Sequence, residues 1–235
     1  MRSGVKFLGL AAVAALSLTA LAVQDSLILK HAAKVGDVAK YRLKSEMEAQ
    51  GMPMTFNAVI TDKITKVADN GDFTVESKMS EAKIDVGGNE MDISGQTGGP
   101  TTTVFKLSGE VISVTSDTSD PNAYRMANLQ SMRLPTTALK VGDTWTVDIK
   151  KDDKGAVDAK GSYKIEARET IGGHDTFRIH ESLKESIDKD PASAEGTVWI
   201  DVKDGSLVKM LGTMTNAPIP QMGPTTMKMT LTREG

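Results

Sequence analysis

Thirteen methionines stand in this chain beside five phenylalanines and two tryptophans, and their spacing is orderly. Met52 and Met54, Met210 and Met214, and Met227 and Met229 keep the period of an extended strand, so each group shares one face. Thioether side chains are flexible and polarisable, which suits a surface that adapts to apolar partners such as acyl chains. The same properties suit ordinary core filling. A third chemistry is soft-metal ligation, because thioethers bind Cu(I). Met52-Pro53-Met54 and Met227-Lys228-Met229 would each set two sulfurs about 7 Å apart along a strand, so a site would need a third from a neighbour.

Acid–base and nucleophilic chemistry has less to work with. The histidines are His31, His174 and His180. His174 sits in a Gly-Gly turn, and His180 alternates away from Phe177 and Ile179. With Asp175 and Glu181 they make a weak surface metal site, short of the three or four convergent ligands that zinc takes. Ser80-Glu81-Ala82-Lys83 and Ser206-Leu207-Val208-Lys209 fit Ser-x-x-Lys, but both lie in strand-like stretches rather than at a helix start. No Gly-x-Ser-x-Gly elbow and no phosphate-cradling glycine loop with a following lysine is present. Hydrolytic or redox catalysis needs a convergent set of titratable groups. The expectation is a protein that is not an enzyme and uses no cofactor.

The elements that would position these residues are strands. Lys34-Val35-Gly36-Asp37 returns as Lys140-Val141-Gly142-Asp143, and an alternating pattern follows each. Ala39, Tyr41, Leu43 and Met47 share one face, and Trp145, Val147 and Ile149 take the places of the first three. Met52, Met54, Phe56, Ala58 and Ile60 form the next strand, matched by Val157, Ala159, Tyr163 and Ile165. Asp69-Asn70-Gly71-Asp72 and Gly172-Gly173 supply hairpin turns. Thr103-Val104-Phe105 with Ser108-Gly109 is matched by Thr197-Val198-Trp199 with Asp204-Gly205. Between the copies, Asp120 as cap, Pro121 at the first turn and the stripe Tyr124, Met126, Ala127, Leu129 predict one short helix over about 120–132. Segments 95–100, 188–195 and 216–224 read as loops, the last holding Met222 as an apolar residue able to act as a lid. The predicted fold is mainly β: a curved antiparallel sheet, an incomplete barrel, built from two similar β-meander repeats (about 27–119 and 133–235) and one connecting helix. Together they form a single domain over 23–235.

Residues 1–22 read as a signal peptide, with Arg2 and Lys6 before an apolar run and a small-x-small site at Ala20-Leu21-Ala22. Loss of two basic and no acidic residues moves the formal net charge from −3 to −5. Lysines alternate with acids rather than forming a basic face, so nucleic acid is not an expected partner. With no cysteine, neither disulfides nor a lipoprotein-type anchor at the cut is available. The expectation is an exported protein, periplasmic or extracellular, that does not span the membrane after cleavage.

Residues 196–210, Gly-Thr-Val-Trp-Ile-Asp-Val-Lys-Asp-Gly-Ser-Leu-Val-Lys-Met, resemble the strand, Asp-Gly turn and strand of LolA/LolB-like extracytoplasmic proteins. Leu134-Pro135 followed by Lys140-Val141-Gly142-Asp143-Thr144-Trp145 is similar to exported families of the same kind. The resemblance covers about half of the mature chain. It implies a curved sheet closed by helices whose concave face carries acyl chains, although one short helix is fewer than those proteins have. The expected function is binding of a lipid, acyl chain or other hydrophobic ligand, or of a lipidated protein. The candidate residues are Met52, Met54, Phe56, Trp145, Met210, Met214, Met222, Met227 and Met229. The alternative is an envelope structural or protein-interaction module with a filled core.

Overall fold

A computed structural model describes residues 26–49, 51–117, 122–219 and 223–235. The signal-peptide segment, the Asp120-Pro121 cap and Met222 lie outside the described residues. Twelve strands form one antiparallel sheet: β1 (Val38–Ala49), β2 (Met52–Val67), β3 (Phe73–Val86), β4 (Asn89–Asp92), β5 (Thr101–Phe105), β6 (Val111–Thr115), β7 (Thr144–Ile149), β8 (Ala159–Ile171), β9 (His174–Glu185), β10 (Ser193–Asp201), β11 (Leu207–Ile219) and β12 (Gly223–Arg233). Their order is β6-β5-β3-β2-β1-β12-β11-β10-β9-β8-β7, with β4 paired outside this path to β3. Each half is a meander, and the halves join through β1 and β12. The sheet stays open, and the helix α1 (Ala123–Gln130) links its two end strands. The Tyr124 hydroxyl lies 3.2 Å from the Val111 carbonyl on β6 and 3.1 Å from the Asp152 carboxylate beyond β7. Lys154 Nζ donates to the Ile112 carbonyl across the same gap at 2.9 Å.

The two Lys-Val-Gly-Asp turns are built alike. Gly36 and Gly142 both adopt φ +94, which a residue with a Cβ rarely tolerates. The aspartates accept from the backbone N–H of Lys34 and Lys140, at 3.0 and 2.9 Å. Gly36 N–H donates to the Ile64 carbonyl and Gly142 N–H to that of Ile165, while the Ile64 and Ile165 N–H groups return bonds to Asp37 and Asp143. A register shift follows on each strand, between Ile64 and Lys66 and between Ile165 and Ala167.

The stretch leading into each turn crosses the concave face and docks on the opposite half. Ala32 N–H donates to the Asp204 carbonyl between β10 and β11, and Leu134 N–H donates to the Ser108 carbonyl between β5 and β6. The two stretches also pair with each other through Leu27 and Leu139. Leu29, Leu134 and Leu139 are thereby buried against Ile165, Phe177, Ile179 and Val198.

The structure departs from the sequence expectation in several elements. Segment 216–224 is largely strand: Ala217 pairs with Thr225 and Pro218 with Pro224, after a bulge that holds Asn216 at φ +53. Two prolines facing each other are tolerated because their missing donors fall at the outer end of a hairpin arm. Ser193 to Glu195 belong to β10, and Ser94–Gln96 form a 3-10 turn. Val157 precedes β8 rather than lying in it. Among the described residues no helix is long and apolar enough to cross a membrane.

Candidate functional site

The concave face is read most directly along its rungs. Met54, Met47, Met227 and Met214 are successive partners across β2, β1, β12 and β11. Met214, Met227 and Met229 are buried in a close-packed cluster with Leu129 of α1, Ile149 and Leu183; Met47, Met126, Tyr124 and Met210 pack against it. Periodicity places these methionines on one face, and α1 then fills the space above them. Met52 is exposed and Met54 half-buried. Phe56, half-buried, is the partner of Ser45, whose buried hydroxyl has no hydrogen-bond partner among the described residues.

One rung over, the two halves differ in volume. In the second half Trp145 pairs with Tyr163 and stacks on it, ring centroids 5.0 Å apart and planes within 12°. The Trp145 indole N–H donates to the Arg133 carbonyl at 2.8 Å. Counted from the equivalent turns, the corresponding pair in the first half is Ala39 with Asp62. A methyl and a carboxylate there replace two stacked rings. The space is a cavity of about 630 Å³ lined by both residues, with Tyr41, Phe73 and Val75 on the sheet side and His31 and Met132 on the crossing stretches. Of the nine candidate residues, Met210 lines this cavity; Trp145 packs against the neighbouring core.

Glu181 is a cavity-lining carboxyl whose inward placement sequence reasoning missed. It follows Phe177 and Ile179 at even spacing, so it faces inward as they do, opposite Tyr163 on β8 and Gly196 on β10. His180 alternates to the convex side, where it meets Glu195. Two of the four residues grouped in the sequence as a surface metal site, His180 and Glu181, are therefore on opposite faces. Gly196 carries no side chain to cover the Glu181 carboxyl. A Cβ on Gly196 would stand 2.4 Å from the Leu211 carbonyl oxygen, so the bare neighbour is required by the close approach of β10 and β11.

Burial alone pushes the Glu181 carboxyl up to about 7, and its charge raises the neighbouring Tyr163 phenol, itself driven up to about 12 mainly by burial. Asp62 is also raised by burial, an effect that the Ser77 hydroxyl opposes by donating to it at 2.6 Å. His31, buried beside Phe73 with ring centroids 5.4 Å apart, is lowered by desolvation despite Asp204 nearby. The arrangement is a mainly apolar cavity whose lining also carries charged side chains, among them the carboxyls of Glu181 and Asp62. It can enclose an apolar body and meet a polar group at one place.

No family model matches the chain, and no curated protein does. Among solved structures it is similar to the hypothetical lipoprotein YmcC from Escherichia coli (K12), at 15% sequence identity and a TM-score of 0.33; the alignment covers 86% of this chain and 90% of that one. That likeness says nothing of a ligand. The resemblance of residues 196–210 to LolA/LolB-like proteins has no family match behind it.

Proposed function

We propose that this is an exported, non-enzymatic binding protein that holds an apolar or amphiphilic ligand on the concave face of its sheet. The observation that carries the reading is the cavity of about 630 Å³ opened where Ala39 and Asp62 stand in place of a stacked Trp–Tyr pair. Its size lies within the range of small-ligand sites, and its wall is mainly apolar with charged side chains interspersed. The methionine layer serves this function by adapting the floor of the sheet beside the chamber. A lipid or acyl chain, free or carried on another protein, has the required shape.

The second half supplies its own control. Ala39→Trp restores one ring of the aromatic rung in the first half and fills the space, and uptake of the neutral hydrocarbon probe diphenylhexatriene should then fall at least tenfold, the loss of about 1.4 kcal/mol of binding energy, while the melting temperature stays within a few degrees. Failure of the unaltered protein to take up the probe would end the binding reading and leave the envelope interaction module in its place.

A further inference from the structure

Seven charged side chains line the cavity: Lys34, Asp37, Asp62, Glu181, Lys203, Asp204 and Arg233. Lys34 and Lys203 are exposed to solvent. Asp37 accepts from Lys34 N–H, Asp204 from Ser206 N–H and Asp62 from the Ser77 hydroxyl, while Arg233 donates to the Ser206 hydroxyl at 2.9 Å. Glu181 differs from all of these. It is half-buried and faces the cavity, yet it accepts no hydrogen bond from any described residue. A carboxyl drawn partly out of water without a donor is costly, and the cost is removed by whatever supplies one.

We infer that the ligand is an amphiphile whose head donates hydrogen bonds, with a long-chain primary amine as its best-held form, and that Glu181 anchors that head. The inference rests on the cavity-binding reading above. A primary ammonium brings three donors and a charge opposite to the carboxylate. A fatty-acid head would instead add another anion to a lining that already holds Glu181 and Asp62, where Arg233, a cation of the same lining, is already engaged with Ser206. Gly196 and the next inward residue along that rung, Gly212, leave the approach to the carboxyl clear of side chains. The apolar tail then lies against Val198 and Met210, which line the same cavity.

The test is competition against diphenylhexatriene at pH 8 with dodecylamine and dodecanoate, on the full chain and on Glu181→Gln. The expected result is that dodecylamine displaces the probe at about tenfold lower concentration than dodecanoate, the factor of one charge-assisted hydrogen bond. Glu181→Gln, with each competition scaled to that protein's own probe affinity, should lose most of that preference. Equal displacement by the two competitors in the unaltered protein overturns the anchor, whatever the folding of the variant, and leaves cavity binding standing. A preference that survives in Glu181→Gln overturns it equally. Absence of probe uptake by the unaltered protein removes the cavity-binding reading and this inference with it.

Discussion

Glu181 has its carboxyl drawn up from 4.5 to about 7 by burial, which gives the empty protein a defined pH response. Below pH 4.5 both folded and unfolded chains hold the proton and the residue costs nothing. Between 4.5 and 7 the unfolded chain releases its proton first, so stability falls as pH rises, and above 7 the full difference is present. At about 1.4 kcal/mol per pH unit the difference reaches about 3 kcal/mol. Glu181→Gln should therefore match the unaltered protein in urea denaturation at pH 4 and exceed it by about 2 kcal/mol at pH 8, part of the gain being offset by an amide that also lacks partners. Equal stabilities at pH 8 would mean that the carboxyl is solvated. The inward direction of this residue is legible in the sequence, because it keeps step with Phe177, Ile179 and Leu183. Its lack of a partner is not legible, since that depends on Gly196 being brought opposite by a register no sequence pattern states.

An ionic clasp ties the helix α1 to β9. Arg125 donates to Glu185 of β9 through Nε at 2.7 Å and Nη2 at 2.5 Å, and Ala192 N–H donates to the same carboxylate at 2.7 Å. Glu185 is only 3% exposed. Arg125→Ala leaves that charge buried with one backbone donor, and the expected loss is about 3 kcal/mol in chemical denaturation. Arg125→Met with Glu185→Leu should recover most of it, because two apolar side chains in the same place strand no charge. A double variant as unstable as the single one would show that the clasp holds α1 by geometry rather than by charge balance. Most strands were legible from period-two alternation and the short helix from the stripe Tyr124, Met126 and Leu129. What the stripe covers was not, since α1 reaches the methionine rung only because β6 and β7 end the sheet on either side of it. The end of the strand at 207–219 was hidden by Pro218, which local chemistry assigns to a loop.

At the scale of the molecule, the repeat explains both the crossed docking of the leading stretches and the cavity. Each half sends its leading stretch across the concave face to the glycine turn of the other, and the two contacts are close matches. A Cβ on Gly205, at φ +70, would stand 2.5 Å from the Lys30 carbonyl oxygen; one on Gly109, at φ +86, would stand 2.3 Å from that of Met132. The four-residue repeat made the two turns legible, and it also aligned Trp145 with Ala39. It did not align Tyr163 with Asp62, because the chain between turn and strand differs in length in the two copies. The missing half of the aromatic rung, and hence the cavity, emerges only when register is known. The reciprocal docking predicts a crossed pattern of effects. Gly205→Ala and Gly109→Ala each combine a left-handed backbone with a clash against a carbonyl and should cost about 3 kcal/mol. Gly36→Ala and Gly142→Ala keep the same conformational penalty but meet nothing within 4 Å, and should cost about 1 kcal/mol. In hydrogen exchange, Gly205→Ala should release the Ala32 amide, which donates to Asp204, and spare that of Leu134; Gly109→Ala should do the reverse. If both amides loosened together in either variant, the two crossing stretches would be one cooperative unit joined through Leu27 and Leu139, and the cavity beneath them would open as a whole rather than from one side.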